Sequence, residues 1–173
     1  MALVDAQVDK IILDTGIVYI NGSMVAPCEG DNTYVVDREY RDIPYNGMAA
    51  KTRGLKRILR ENVTLTVHPK GLTQEMLLYA VPGATYTDGK IQITGSRQVI
   101  ADSEYLDEVT LVGDTKDGDT KVITLYRCLA DNGLSLTMGE DGEAILELAF
   151  SAHKDASNLN LKLCEVEDVA DYY

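Results

Sequence analysis

The chain is poor in the residues from which many binding and catalytic sites are built. Its 173 residues include no tryptophan, one phenylalanine, two histidines and three cysteines, and its ten tyrosines are scattered. A ligand-binding β-sandwich module that recognises a carbohydrate or a receptor is expected to present an aromatic platform, because aromatic side chains supply large contact areas. The composition disfavours such a module and leaves it open as an alternative.

The two histidines do not form a recognisable catalytic or metal-binding arrangement. His68 precedes Pro69 and His153 follows a strongly apolar segment, and neither has Ser/His/Asp, Cys/His or zinc-ligand spacing. No glycine-rich phosphate-binding motif follows a predicted strand. The acidic stretch Gly113–Thr120 lacks the spacing and the distal glutamate of a calcium loop. We expect no enzymatic activity, no metal and no cofactor.

The cysteines and the apolar segments indicate the cellular compartment in which the chain is expected to fold. Cys28, Cys128 and Cys164 are odd in number and far apart, so they suggest free thiols rather than a disulfide framework or a zinc site. The first residues show no basic region before an apolar core, and no window approaches the roughly 18 apolar residues of a membrane span. We therefore expect no membrane span and folding in the cytoplasm.

Charge is distributed unevenly along the chain. The net charge is −12, and residues 101–173 carry 17 acidic and five basic side chains, whereas residues 1–100 carry 11 of each. This balance opposes general nucleic-acid binding, which depends on Lys and Arg neutralising phosphates. Yet residues 38–60 hold seven of the 16 lysines and arginines. A nucleic-acid patch, a phosphate site or an assembly contact could each use such a segment.

The rest of the composition favours a β-rich fold. Val, Ile and Thr account for 40 of the 173 residues, and their stiff side chains pack well on a pleated surface. Turn signals alternate with short apolar runs, which is typical of an antiparallel β-sandwich or barrel. The length suits a single domain over residues 1–173.

Local patterns place the individual elements. Strands are expected near residues 11–20, 33–37, 62–67, 105–112 and 121–128. A long loop or hairpin extension is expected at about residues 38–55. Pro44, Asn46-Gly47 and Gly54 are turn-forming residues, and the segment shows little periodicity of apolar residues. The last residues, about 156–173, are acidic and read as an edge strand or a peripheral tail.

One short helix is expected in the segment Leu72–Gly83. Thr73 can cap its first turn, Met76 and Leu77 lie inside it, and Pro82-Gly83 ends it. A helix of two or three turns is marginal alone, so it should flank the sheet.

The last hairpin has the clearest pattern of the sequence. Leu134, Leu136 and Met138 alternate with polar residues, and so do Leu146, Leu148 and Phe150 on the returning strand. If those residues face the core, the opposite face carries Glu143, Ile145, Glu147 and Ala149. That face is either ordinary solvated surface or the lining of a space that must not hold phosphate.

Four phrases of this sequence, in order, carry a family resemblance. They are "DTGIVYING", "REYRDIPYNGMAAKTRGLKRI", "LVGDTKDG" and "GLSLTMGEDGEAILELAFSAHKD", and they span most of residues 10–155. Together they resemble the major tail tube proteins of long-tailed bacteriophages of Gram-positive hosts. Tube subunits of headless, phage-derived bacteriocins and inner tubes of contractile particles remain alternatives.

The resemblance implies a mainly β sandwich or barrel with one flanking helix, assembled into stacked hexameric rings that form a hollow tube. It implies a location in the virion tail after assembly in the host cytoplasm. The partners it implies are other copies of the chain, a tape measure protein, and tail terminator and distal tail proteins. DNA passes through the tube without sequence-specific binding.

The resemblance also assigns roles to residues of this chain. The loop at about 38–55 is expected to reach the next ring. Glu143 and Glu147 are candidates for the inner surface of the tube. The basic side chains expected to meet acidic surfaces of neighbouring subunits are Arg38, Arg41, Lys51, Arg53, Lys56 and Arg57, with Arg60 close behind.

Overall fold

The computed structural model describes residues 15–29, 32–44, 50–51, 53–71, 73–93, 99–114, 119–133, 135–138 and 144–169. This part of the chain forms eleven β-strands, one α-helix and a turn of 3₁₀ helix at Asp102–Glu104. The elements are β1 (Thr15–Ile20), β2 (Ser23–Glu29), β3 (Thr33–Asp42), β4 (Lys56–Val67), α1 (Gln74–Ala80), β5 (Thr85–Thr87), β6 (Lys90–Gln92), β7 (Leu106–Asp114), β8 (Thr120–Ala130), β9 (Ser135–Met138), β10 (Ala144–Ala152) and β11 (Cys164–Val169).

One large antiparallel sheet organises these strands. Its order is β2-β1-β7-β8-β10-β4-β3, with β9 paired to β10 and β11 paired to β8, while β5 and β6 form a separate ribbon. Cys28 of β2 bridges to Pro69 just after β4, and the Lys70 amide donates to the Pro27 carbonyl over 2.8 Å. These contacts join distant strands, so the sheet curls back on itself as in a barrel. The predicted mainly β, antiparallel fold is confirmed.

The core lies on the concave side of this sheet, where alternate residues of each strand are buried. Val63, Leu65 and Val67 of β4 are almost fully buried, and so are Leu146, Leu148 and Phe150 of β10. This is the face assignment that the period-two pattern predicts. The buried cluster also includes residues of β1, β2, β7 and β8 together with Met76 and Ala80 of the helix.

The helix begins and ends where the sequence predicts. The Met76 amide donates to the Thr73 hydroxyl over 3.3 Å, so Thr73 is the N-cap. The chain leaves the helix at Val81 and turns at Gly83, whose φ of 77° is easily adopted only by glycine. Met76 is fully buried and Leu77 is half-buried, so α1 is stabilised by packing on the barrel.

The first turn explains a strand that the sequence reading missed. Asn21 and Gly22 both have positive φ, 51° and 74°, as in a type I′ hairpin. The chain therefore returns at once as β2, which pairs with β1. Pro27 inside β2 hides it from a periodicity argument, because proline is tolerated only where its missing N–H is not needed by a neighbouring strand.

The C-terminal half forms the predicted hairpins, although Leu136, which was expected to face the core, is 40% exposed. β7 pairs with β8 from Leu106 to Asp114, and Leu136 lies opposite Leu146 in the β9–β10 pair. Of the acidic segment 156–173, residues 164–169 form the edge strand β11 against β8. The Tyr34 hydroxyl and the Cys164 thiol lie 3.1 Å apart, which links β3 to β11.

Strand β8 contains a strained residue. Arg127 has a φ of 52°, a left-handed conformation that costs non-glycine residues energy. β8 pairs with β11 up to Leu125 and with β10 from Cys128 onward, so Arg127 lies at the change of partner. Its guanidinium donates to the His153 carbonyl over 3.0 Å and also to the Lys162 carbonyl, which fixes both ends of the β10–β11 connection.

Candidate assembly surface

A two-stranded arm projects from the barrel. β3 and β4 pair from Thr33 and Thr66 to Asp42 and Lys56, but β10 covers β4 only from Thr64 to Val67. We call residues 36–63, beyond that cover, the arm. The predicted loop at 38–55 is therefore too long at its start, because residues 38–42 continue β3 and only residues 43–55 form the connection.

A break in the period-two alternation of side chains explains why the start of the loop was predicted too early. β4 carries an extra residue opposite the step from Glu39 to Tyr40, so the alternation breaks at a bulge although pairing continues. The connection itself is closed by the Ile43 amide donating to the Leu55 carbonyl over 2.8 Å. Lys51 and Arg53 lie exposed in this connection. Residues 45–49 and 52 lie outside the described part of the chain.

One face of the arm carries apolar side chains that the described part of the chain leaves exposed. Val36 is opposite Val63, and Tyr40 is opposite Ile58, so these residues share the face that continues the core. Val36, Tyr40 and Ile58 are nevertheless 40%, 50% and 46% exposed. Lys56 lies over Tyr40 with its amine 5.2 Å from the ring centre, which covers only part of the ring.

The other face of the arm is charged. Asp37 is opposite Asn62 and Glu39 is opposite Arg60, with 3.8 Å between the Arg60 Nε and the Glu39 carboxylate. Arg41 lies directly opposite Arg57. Like charges in that relation repel each other, so the pair is a local cost that a carboxylate placed between the two guanidinium groups would remove.

The face that carries Val36 and Tyr40 also holds one well-formed ion pair, because Arg38 lies between these two residues and opposite Glu61. Arg38 donates from Nε to Glu61 over 2.7 Å, and its Nη2 lies 2.6 Å from the same oxygen. This hydrogen bond raises the pKa of the Arg38 guanidinium. Arg38 is thus engaged within its own chain, whereas Arg41 and Arg57 face each other.

A groove lies at the base of the arm. Its volume is about 610 Å³, and it is lined by Leu59–Thr64 of β4, by Ser151–Lys154 at the end of β10, and by Asp131 and Leu163. The floor is apolar at Val63 and Leu163, and the rim carries charges of both signs. The sequence reading did not find this groove, because residues from four separate segments form it.

The second face of β10 differs from the expectation. Glu147 is exposed, as predicted, but Ala149 on the same face is only 4% exposed. That face is therefore open near Glu147 and covered near Ala149. Glu143 and the Ile145 side chain lie outside the described part of the structure.

The described residues include both histidines and all three cysteines, the side chains most often used as zinc ligands. No cluster of three or more His, Cys, Asp or Glu side chains among them could hold a metal ion. The His153 Nδ1–H donates to the Ser151 carbonyl over 3.0 Å, and the ring packs edge-on against Tyr105. Cys28 and Cys128 are buried, and burial raises the pKa of each thiol to about 12. Within the described ranges, no helix is both long and apolar enough to cross a membrane.

Comparison with known proteins assigns no family. No protein-family model matches the chain, and no curated protein matches it.

Proposed function

We propose that the protein is a structural subunit that self-assembles into stacked hexameric rings, forming the hollow tail tube of a bacteriophage or a phage-derived particle. The sequence phrases that resemble tail tube proteins suggest this function. The observation that carries it is the arm, whose apolar face is uncovered and whose charge is opposite to that of the rest of the chain.

A partner that covers the apolar side chains of the arm would be favoured energetically. A two-stranded ribbon is marginally stable in water unless a further layer covers it. Fully burying a side chain such as Ile or Val contributes roughly 1.5–3 kcal/mol. Val36, Tyr40 and Ile58 forgo about half of this gain in the isolated chain, so a second copy that covers them would stabilise both the ribbon and the assembly.

Charge favours a second copy of the same chain as that partner. Residues 36–63 carry seven basic and four acidic side chains, a balance of +3, which leaves −15 for the rest of the chain. Opposite potentials on two surfaces promote association and fix orientation. Arginine suits this role because its planar group can hold a carboxylate at two points.

The acidic excess fits a conduit for DNA. If each subunit attracted a phosphate by only about 0.5 kcal/mol, six subunits in a ring would contribute about 3 kcal/mol, and many rings would hold the DNA in place. An inner surface that is neutral or acidic avoids this, and Glu147 is an exposed carboxylate available for it.

Negative-stain electron microscopy of the purified chain over a range of concentrations tests the proposal. We expect rings or tubes from the wild type, and their loss in a Tyr40→Ser, Ile58→Ser double variant. A Leu159→Ser variant is the matched control, because Leu159 is also exposed but lies outside the arm. A wild type that stays monomeric at every concentration, or arm variants that assemble as the control does, would contradict the proposal.

A further inference from the structure

Strand β4 has one edge that is only partly used. β3 pairs with one edge along Lys56–Thr66, whereas β10 pairs with the other edge only over Thr64–Val67. Among the described residues, no strand pairs with this second edge over Lys56–Val63. Such an edge presents a row of backbone N–H and C=O groups ready to bind another strand. The base groove lies along this edge.

The groove exists because β10 turns away from β4. The His153 amide donates to the Arg127 carbonyl over 3.1 Å, and the Arg127 guanidinium donates to the His153 carbonyl. These bonds hold the chain after Ala152 towards β8, at the strained Arg127. The space that a longer β10 would fill beside β4 is thereby left open.

The arm also has a free edge on its opposite side. β3 is the last strand of the sheet order and pairs with β4 alone in the described part of the chain. Over Tyr34–Asp42 it therefore presents a second edge with which no described strand pairs. Each copy thus carries two open strand edges on opposite sides of one ribbon.

We propose that the outer edge of β3 from one copy enters the base groove of a second copy and pairs antiparallel with the free edge of β4. This rests on the self-assembly proposed above and identifies the two surfaces that meet. The contact is heterologous, because the donated edge and the receiving edge differ, so it continues from copy to copy and closes when the rotation forms a ring. Strand addition of this kind uses backbone hydrogen bonds for affinity and side chains for register.

The side chains of the two edges complement each other. On the charged face, β3 offers Asp37 and Glu39, and the receiving strand offers Arg57 and Arg60. A carboxylate from the neighbour can thus lie against the guanidinium of Arg57, where the same-chain partner is another arginine. On the apolar face, Val36 and Tyr40 of the incoming strand extend the uncovered surface that Ile58 begins.

A cysteine scan across two separately purified sets of variants tests the pairing. All variants carry Cys164→Ser, which removes a half-buried thiol and keeps a hydroxyl near Tyr34. The β3 set is Asp37→Cys, Glu39→Cys and Arg41→Cys, and the β4 set is Arg57→Cys, Arg60→Cys and Asn62→Cys. Each β3 variant is mixed with each β4 variant, allowed to assemble and oxidised mildly, and disulfide-linked dimers are measured on denaturing gels. The matching serine variants give the background.

We expect linked dimers in the mixtures, at least tenfold above those from either variant alone. As the cysteine position in β3 moves to a higher residue number, its most reactive partner in β4 should move to a lower residue number, because the strands are proposed to pair antiparallel. Dimers within a single variant would indicate a symmetric contact and overturn the proposal, and so would reactive pairs that run in parallel. Tubes without any linked pair would overturn it while leaving the tube function intact. Linked pairs without rings or tubes would support the pairing and contradict the tube.

Discussion

At the scale of single residues, the buried thiols make stability depend on pH. Burial raises the pKa of Cys28 and Cys128 from the usual value of 9.0 to about 12. The folded state therefore keeps protons that the unfolded state loses above about pH 9. The stabilisation is complete below that pH and is lost progressively as the pH rises towards 12.

We therefore expect the free energy of unfolding, measured in urea, to fall steeply between pH 9 and 11. Each thiol contributes up to about 1.4 kcal/mol per pH unit. Cys28→Ala should reduce this slope by about that amount. Val63→Ala is the control, because it weakens the same core without removing a titrating group, so its slope should match the wild type. Equal slopes for Cys28→Ala and the wild type would contradict the assignment.

Arg127 combines backbone strain with two side-chain hydrogen bonds. Its φ of 52° suits glycine, while its guanidinium holds the carbonyls of His153 and Lys162. Replacing it with alanine removes the bonds and keeps the strain, whereas glycine removes both. We expect Arg127→Gly to be more stable than Arg127→Ala by about 1 kcal/mol, since that is the usual cost of the left-handed conformation.

Thermal and urea unfolding of the two Arg127 variants measure this difference. Both should be less stable than the wild type, because the carbonyls at the two ends of the β10–β11 connection lose a charged donor. If alanine were the better tolerated of the two, the strain at this position would not be a determinant of stability.

At the scale of secondary-structure elements, we expect charge changes in the arm to affect the proposed assembly without affecting the stability of the monomer. Its basic side chains are exposed, so reversing them removes little from the folded monomer. We expect Arg41→Glu combined with Arg53→Glu to leave the free energy of unfolding within about 0.5 kcal/mol and to abolish rings and tubes. Urea unfolding and electron microscopy of the same sample measure the two effects.

A charge reversal outside the arm is the control for this variant. Lys90 is exposed in β6, away from β3 and β4, so Lys90→Glu changes net charge without touching the arm. If the variant with both Arg41→Glu and Arg53→Glu still formed tubes, the basic segment would not be part of the assembly contact. Equal loss in both variants would point to net charge alone.

Some local sequence signals were sufficient to predict the secondary-structure elements. The Thr73 cap, the Asn21-Gly22 turn and the alternating faces of β4 and β10 are set by residues within a few positions of one another. The open apolar face of the arm was missed although Val36 and Tyr40 are spaced as in a strand. The charges between them, and the bulge near Leu59, made the segment look like a loop.

At the scale of the whole molecule, the acidic excess bears on the proposed tube. In a stack of rings, the position of each carboxylate decides whether DNA meets repulsion or attraction. We expect assembled wild-type tubes not to retain linear double-stranded DNA in co-sedimentation at low salt, because a neutral or acidic lumen offers no phosphate contacts. Tubes of a Glu147→Lys variant should retain DNA, and added salt should release it.

Glu167→Lys provides the comparison for that prediction. Glu167 is also exposed, on the edge strand β11 rather than on β10. If both variants assemble and retain DNA equally, Glu147 does not face the lumen. Retention by the wild-type tube itself would contradict an inner surface that lets DNA slide.

The sequence by itself determined the β-rich composition, the core-facing side of β4 near its end and of β10, the helix and its cap, and the location of the basic segment. These features depend on side-chain chemistry and on short-range periodicity, which are visible in the order of residues. Only the tertiary structure decided that β2 closes onto the end of β4, that β10 leaves β4 at Ala152, and that no other described strand pairs with either edge of the arm. Each of these depends on pairing between residues far apart in the chain, and a local pattern carries no record of which strand becomes the neighbour of another.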